Sequence, residues 1–110
     1  MSRFDGDRLD DINAAIDAIR SHLRRGGLED DLVLDAVRVR LIEIGEAVKA
    51  LSPDLTGTEP EIPWRQIARM RDHLAHRYFA TEVVVIRSTV NDDLGELAAS
   101  VERLRRRLEG

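Results

Sequence analysis

Arg71, Asp72, His73, His76, Arg77 and Tyr78 crowd into eight consecutive positions of a chain that has three histidines and one tyrosine. A guanidinium can neutralise a phosphate, and an imidazole, which titrates near neutrality, can take or return a proton. Together they are enough to let a ribose hydroxyl cut its own strand of RNA without a metal ion. From Trp64 to Phe79 four arginines (Arg65, Arg69, Arg71, Arg77) stand against Asp72 alone, a local balance of +3. The whole chain carries −4, which argues against nucleic acid coating its length. A basic patch on an acidic body suits engagement of a few phosphates.

Spacing limits how these groups can cooperate. Asp72 and His76 are four apart and share a helix face, so the carboxylate can hold one imidazole nitrogen. Arg71 and Tyr78, seven apart, share a face if the helix runs on. Arg71 and His76 are five apart and stand ~140° from each other around a regular helix. They meet on one phosphate if the helix ends near His76, the arrangement that the loose boundary at Phe79, Ala80 and Thr81 favours, or if they act across a dimer seam. Other uses of the same residues compete. Arg71 can form an ion pair with Glu43 or Glu46 on another helix, and His76 can be a hydrogen-bonded boundary residue. His73 and His76 could grip a metal together, but no third histidine or cysteine stands near, so no metal site is assigned. His22 reads as a solvated residue near the end of the first helix. No glycine-rich phosphate loop and no Ser-His-Asp pattern is present.

The elements that must position these groups are helical. Leu9, Ile12, Ile16, Ile19 and Leu23 step by three and four up to Gly26 and Gly27, a natural C-terminal stop. Leu34, Val37, Leu41, Ile44, Val48 and Leu51 repeat the pattern up to Ser52 and Pro53. Asp54 to Pro63, with Gly57, Pro60 and Pro63, reads as a loop. Pro63 opens a third helix that buries Trp64, Ile67, Met70 and Leu74. Thr81 is the expected cap of the next helix. Val83 to Ile86 is a β-branched run, yet Val83, Ile86, Val90, Leu94, Leu97, Val101, Leu104 and Leu108 keep a helical spacing too long for a strand. A kink or break is expected near Asn91, Asp92, Asp93 and Gly95. The C-terminal Arg103, Arg105, Arg106 and Arg107 read as a solvated helix end. The fold class is all-α, an up-and-down bundle of four to five helices in a single domain over residues 1–110.

Composition agrees. The chain has 110 residues, 43% hydrophobic and 35% charged, with 4% aromatics and no cysteine. That describes a globular domain with an aliphatic core, no disulfides and no thiolate metal site. No stretch reaches the ~20 apolar residues of a membrane span, and no signal peptide is visible, so the cytoplasm is the expected location. Val83 to Ile86 spread apolar groups over more than one helix face, and Gly45 sits inside the second helix as if another backbone came close. Both favour a homodimer.

The motif Arg71, Asp72, His76, with Tyr78 two positions on, resembles the HEPN superfamily and within it the HepT-like toxins. Two further stretches are similar to that branch: Ile44-Gly45-Glu46-Ala47-Val48-Lys49-Ala50-Leu51-Ser52 and Glu61-Ile62-Pro63-Trp64. The likeness runs from about Arg8 to Leu108. Asp72 stands where the branch often has asparagine, Glu82 where aspartate is common and Gly95 where proline is common. The resemblance implies an all-helical HEPN-like homodimer and a metal-independent endoribonuclease toxin that needs no cofactor. Arg71, His76 and Asp72 would be catalytic, with His73, Arg77 and Glu46 as accessory candidates. It also implies a cognate minimal nucleotidyltransferase antitoxin that transfers AMP to Tyr78. Other members of the superfamily have lost cleavage and bind RNA or nucleotides.

Overall fold

The computed structural model describes residues 3–76 and 79–110. Helix α1 spans Arg3–Arg25 and α2 Asp31–Lys49; a short α3 covers Pro53–Thr56; α4 is Trp64–Ala75, α5 Phe79–Ser88 and α6 Leu94–Glu109. Among the described residues there is no strand. The apolar stripes meet in one core. Leu9, Ile12, Ile16 and Ile19 of α1 pack with Val37, Leu41, Ile44 and Val48 of α2, Ile67, Met70 and Leu74 of α4, Ile86 of α5, and Leu97, Val101 and Leu104 of α6. α2 is the central helix, lying along α1 on one side and α4 on the other.

Local chemistry sets the helix ends. The Asp30 carboxylate accepts from the backbone N–H of Leu32 (2.9 Å) and Val33 (3.4 Å) and so caps α2, a contribution of about 1 kcal/mol. The expected loop after α2 contains one more turn of helix. Pro53 takes the first position of α3 and Ser52 the cap, but the serine side chain makes no capping bond. Asp5, buried in α1, does that work from outside. Its carboxylate accepts from the Ser52 N–H (2.9 Å) and hydroxyl (2.7 Å), which fastens α1 to this corner.

Two expectations need correction, and a third is met in a particular form. α5 begins at Phe79, so Thr81 lies inside it and is not its cap. The break expected near Asn91 is a π-helical turn over Thr89–Asp93 that joins α5 to α6. There the Thr89 hydroxyl donates to the Val85 carbonyl at 2.7 Å, a local competitor for the helical ladder, beside three poor helix formers. The C-terminal arginines are not simply solvated. Arg103 pairs with Glu59 of the α3–α4 loop at 2.6 Å, and Arg105 pairs with Asp10 of α1. The Arg103 hydrogen bond holds the Glu59 carboxyl below its usual range. The Glu59 carbonyl also accepts from the Trp64 indole N–H at 2.9 Å, so this loop ties α6 to the start of α4.

Candidate active site

α4 presents the motif and α2 holds it. A Cβ built on Gly45 would lie 2.9 Å from the Arg71 Cβ, 3.1 Å from the Ile67 carbonyl oxygen and 3.2 Å from the Arg71 nitrogen. Only a glycine lets the two backbones come this close. The backbone that Gly45 accommodates is thus α4 of its own chain, and the residue gives no support to a dimer. The next residue, Glu46, is carried to Arg71 by the same approach. Its Oε1 accepts from Arg71 Nε at 3.1 Å, while Asp72 Oδ1 accepts from Arg71 Nη1 at 3.2 Å. Glu43, the alternative partner, pairs instead with Arg40 of its own helix. Hydrogen bonds to Asp72 first and Glu46 second raise the Arg71 pKa, so the guanidinium is held firmly as a cation. Its side chain is 43% exposed, and the Nη2 end carries no bond among the described residues.

His76 stands at the end of α4 as its C-cap, with φ −87° and ψ −2°. Those angles are still helical, so the end of the helix does not by itself swing His76 round to Arg71. Each group instead makes its own bond to Asp72. His76 Nδ1 lies 2.6 Å from the Asp72 carbonyl oxygen. A carbonyl can only accept, so Nδ1 carries the hydrogen, and in the neutral ring Nε2 is left with a free lone pair. The carboxylate of Asp72 was expected to fix this tautomer; its carbonyl does so, and the carboxylate goes to Arg71. Both groups therefore engage Asp72, the guanidinium through its carboxylate and the imidazole through its carbonyl. Arg38 of α2 steadies the same end of the helix by donating from Nη1 to the Leu74 carbonyl at 3.4 Å. Spacing along the chain offered no signal for Arg38, because its partner is 36 residues away.

His73 is exposed on α4 and lines a groove of about 300 Å³ with Met70, Val84, Val85, Thr89 and Asp93. Burial, and then the neighbouring charges of Asp92 and Glu96, raise the Asp93 pKa. Among the described residues no three His, Cys, Asp or Glu side chains are grouped so as to hold a metal ion. Arg77 and Tyr78 lie outside the described residues. Arg71 and His76 are both open to solvent, so a purely structural role as satisfied core groups does not fit them.

The bundle offers an arginine and a histidine from the last turns of one helix, with a glutamate of the central helix paired to the arginine. Comparison with known proteins gives the family. The family described as Ribonuclease HepT-like matches residues 12–104. A protein of Thermococcus cleftensis named "Probable ribonuclease HepT" is 41% identical over 110 residues, covering 96% of this chain and 100% of that protein. A "Putative RNase" of Caldanaerobacter subterraneus is 39% identical over 75 residues, 67% of each chain. Another, from Methanocaldococcus jannaschii, is 36% identical over 73 residues, 66% of this chain and 60% of that one. No solved structure matches the chain. The chain belongs to the ribonuclease HepT-like family. Among the described residues no helix is long and apolar enough to cross a membrane.

Proposed function

We propose that this protein is a metal-independent endoribonuclease, the toxin of a toxin–antitoxin pair. The observation that carries this reading is the bond of His76, an exposed residue, whose Nδ1–H is committed to a carbonyl so that Nε2 keeps its lone pair for use as a base. Nε2 would take the proton of a ribose 2′-hydroxyl while its oxygen attacks the adjacent phosphorus. The 5′-oxygen leaves as a hydroxyl, its proton returned by the imidazolium or supplied by water, and the strand ends in a 2′,3′-cyclic phosphate. The free end of the Arg71 guanidinium would meet the phosphate oxygens and the charge that builds on them in the transition state. Glu46 and Asp72 hold that guanidinium in place. Tyr78, two positions past His76, would be the tyrosine to which the nucleotidyltransferase antitoxin adds AMP. The adduct would fill the site with bulk and negative charge. A homodimer in which two such motifs share a cleft completes the proposal; Val84, 68% exposed beside the His73 groove, supplies apolar surface for it.

The test is incubation of unmodified protein with total RNA in EDTA. The parent should yield cyclic-phosphate ends. Arg71→Ala and His76→Ala should each lower the rate by roughly 100-fold or more with little change in thermal stability, since both side chains are exposed. If both variants cut as fast as the parent, the assignment fails. One observation favours a second reading. Arg71 already faces two carboxylates, which suits a non-catalytic partner that binds a nucleotide or RNA and presents Tyr78 to the transferase. Such a protein would form the complex and accept AMP, yet turn over no RNA.

A further inference from the structure

Arg65 and Arg69 are both exposed on α4. In the same helix Asp72 and His76 follow, and at 3.6 residues per turn the four positions fall within about 60° of arc. They form one stripe about 16 Å long that ends at the imidazole. Arginines of the molecule differ in how they are satisfied. Arg8, Arg40, Arg71, Arg103, Arg105 and Arg106 each pair with a carboxylate. Arg65 and Arg69 have no hydrogen bond or ion pair among the described residues. Arg20 and Arg24 of α1 also have no partner among the described residues, and what sets Arg65 and Arg69 apart is their line to His76. Asp72, the acid that interrupts the stripe, has its carboxylate taken by Arg71 at 3.2 Å. The stripe is therefore left with two uncompensated guanidinium groups one helical turn apart.

We infer that this stripe is a track for single-stranded RNA, with Arg65 and Arg69 each holding one backbone phosphate of the strand that His76 engages. The inference rests on the RNA reading above and adds the path of the substrate. Two side chains one turn apart are separated by about 6 Å along the axis. An extended strand, freed from the ~3.4 Å axial rise of a duplex, sets neighbouring phosphates roughly that far apart. A straight, narrow stripe with no aromatic group reads the backbone and not the bases. It fits an open strand better than an A-form duplex, whose deep major groove side chains cannot enter. Arg69 and His76 are seven positions apart, about 10 Å along the axis. The held phosphates would therefore lie beyond the nucleotide next to the cleaved bond.

The test separates this track from the chemistry. Binding of a fluorescein-labelled 2′-O-methyl oligoribonucleotide, which has no hydroxyl to attack, is followed by anisotropy across a salt series. Each phosphate contact on a single strand contributes about 0.7 to the slope of log affinity against log salt. Arg65→Ala/Arg69→Ala should lower the parent's slope by about 1.4. The control is Arg20→Ala/Arg24→Ala on α1, two exposed arginines with the same spacing and the same change in net charge; it should keep the parent's slope. Equal slopes for the two double variants would overturn the track, as would a parent that binds no single strand. So would an Arg65→Ala/Arg69→Ala variant that binds RNA normally but loses its complex with the nucleotidyltransferase, because the stripe would then be a protein-docking face. A parent that binds with the expected slope yet leaves an all-ribose strand intact would refute the cleavage chemistry and leave the track standing.

Discussion

Replacing Gly45 by alanine sets two effects against each other, and the structure decides the sign. In the interior of a helix alanine is better than glycine by about 1 kcal/mol. Here, however, the new methyl would stand 2.9 Å from the Arg71 Cβ, 3.1 Å from the Ile67 oxygen and 3.2 Å from the Arg71 nitrogen. Two of these three neighbours are backbone atoms that cannot rotate aside, so α4 must back away from α2 by several tenths of an ångström. Overpacking of this kind costs roughly 1–3 kcal/mol. The net loss is about 1 kcal/mol, a fall in Tm of roughly 4 °C for a domain of this size. The effect on activity should be larger. The retreat lengthens the 3.1 Å bond from Glu46 that orients Arg71. A misplacement of about 1 Å can cost on the order of 100-fold in rate, so roughly tenfold is expected. Gly95 is the control. Nothing lies within 4 Å of a Cβ built there, so Gly95→Ala should raise Tm slightly and leave cleavage alone. Thermal melts with parallel RNA-cleavage rates check both. If Gly45→Ala melts at or above the parent and cuts RNA at the parent's rate, the close-approach argument is wrong.

Two further outcomes follow from one buried and one half-buried carboxylate. Asp5→Ala leaves the Ser52 N–H and hydroxyl without their acceptor at the buried corner of α1 and α3; thermal or urea melts should show a loss of about 1–3 kcal/mol, and an unchanged midpoint would refute this role. Asp93 has its pKa raised by burial above the ordinary 3.8, so its ionised form is favoured in the unfolded chain. The penalty is absent in acid and grows as pH rises through that ordinary value. Asp93→Asn should therefore raise Tm at pH 7 and leave it unchanged near pH 3, and an equal effect at both would count against desolvation as the cause.

Much of this protein is legible without coordinates, for a definite reason. The three-and-four spacing of Leu9 to Leu23, of Leu34 to Leu51 and of Val83 to Leu108 reports which side of each helix faces the core, and that periodicity is a local property of the chain. Pro63 ahead of Trp64 and the poor helix formers near Asn91 are equally local, and each marks a feature at or within a few residues of where the structure has it. The angle between Arg71 and His76 follows from spacing alone. Which groups hold the guanidinium and the imidazole does not.

The relations between helices were settled only by tertiary structure. Spacing left Glu43 and Glu46 as equal partners for Arg71; the crossing of α2 and α4 at Gly45 chose Glu46 and turned Glu43 to Arg40. Gly45 announced a close approach without saying to which backbone. Asp72 sits where its carboxylate could reach His76, but the guanidinium beside it took the carboxylate and left the imidazole a carbonyl. Asp5, 47 residues from Ser52, gave no local sign that it would cap another helix from the interior. Residue spacing determines angle and height on one helix, whereas partners across helices depend on where two axes cross, which is set by the packing of all the side chains between them.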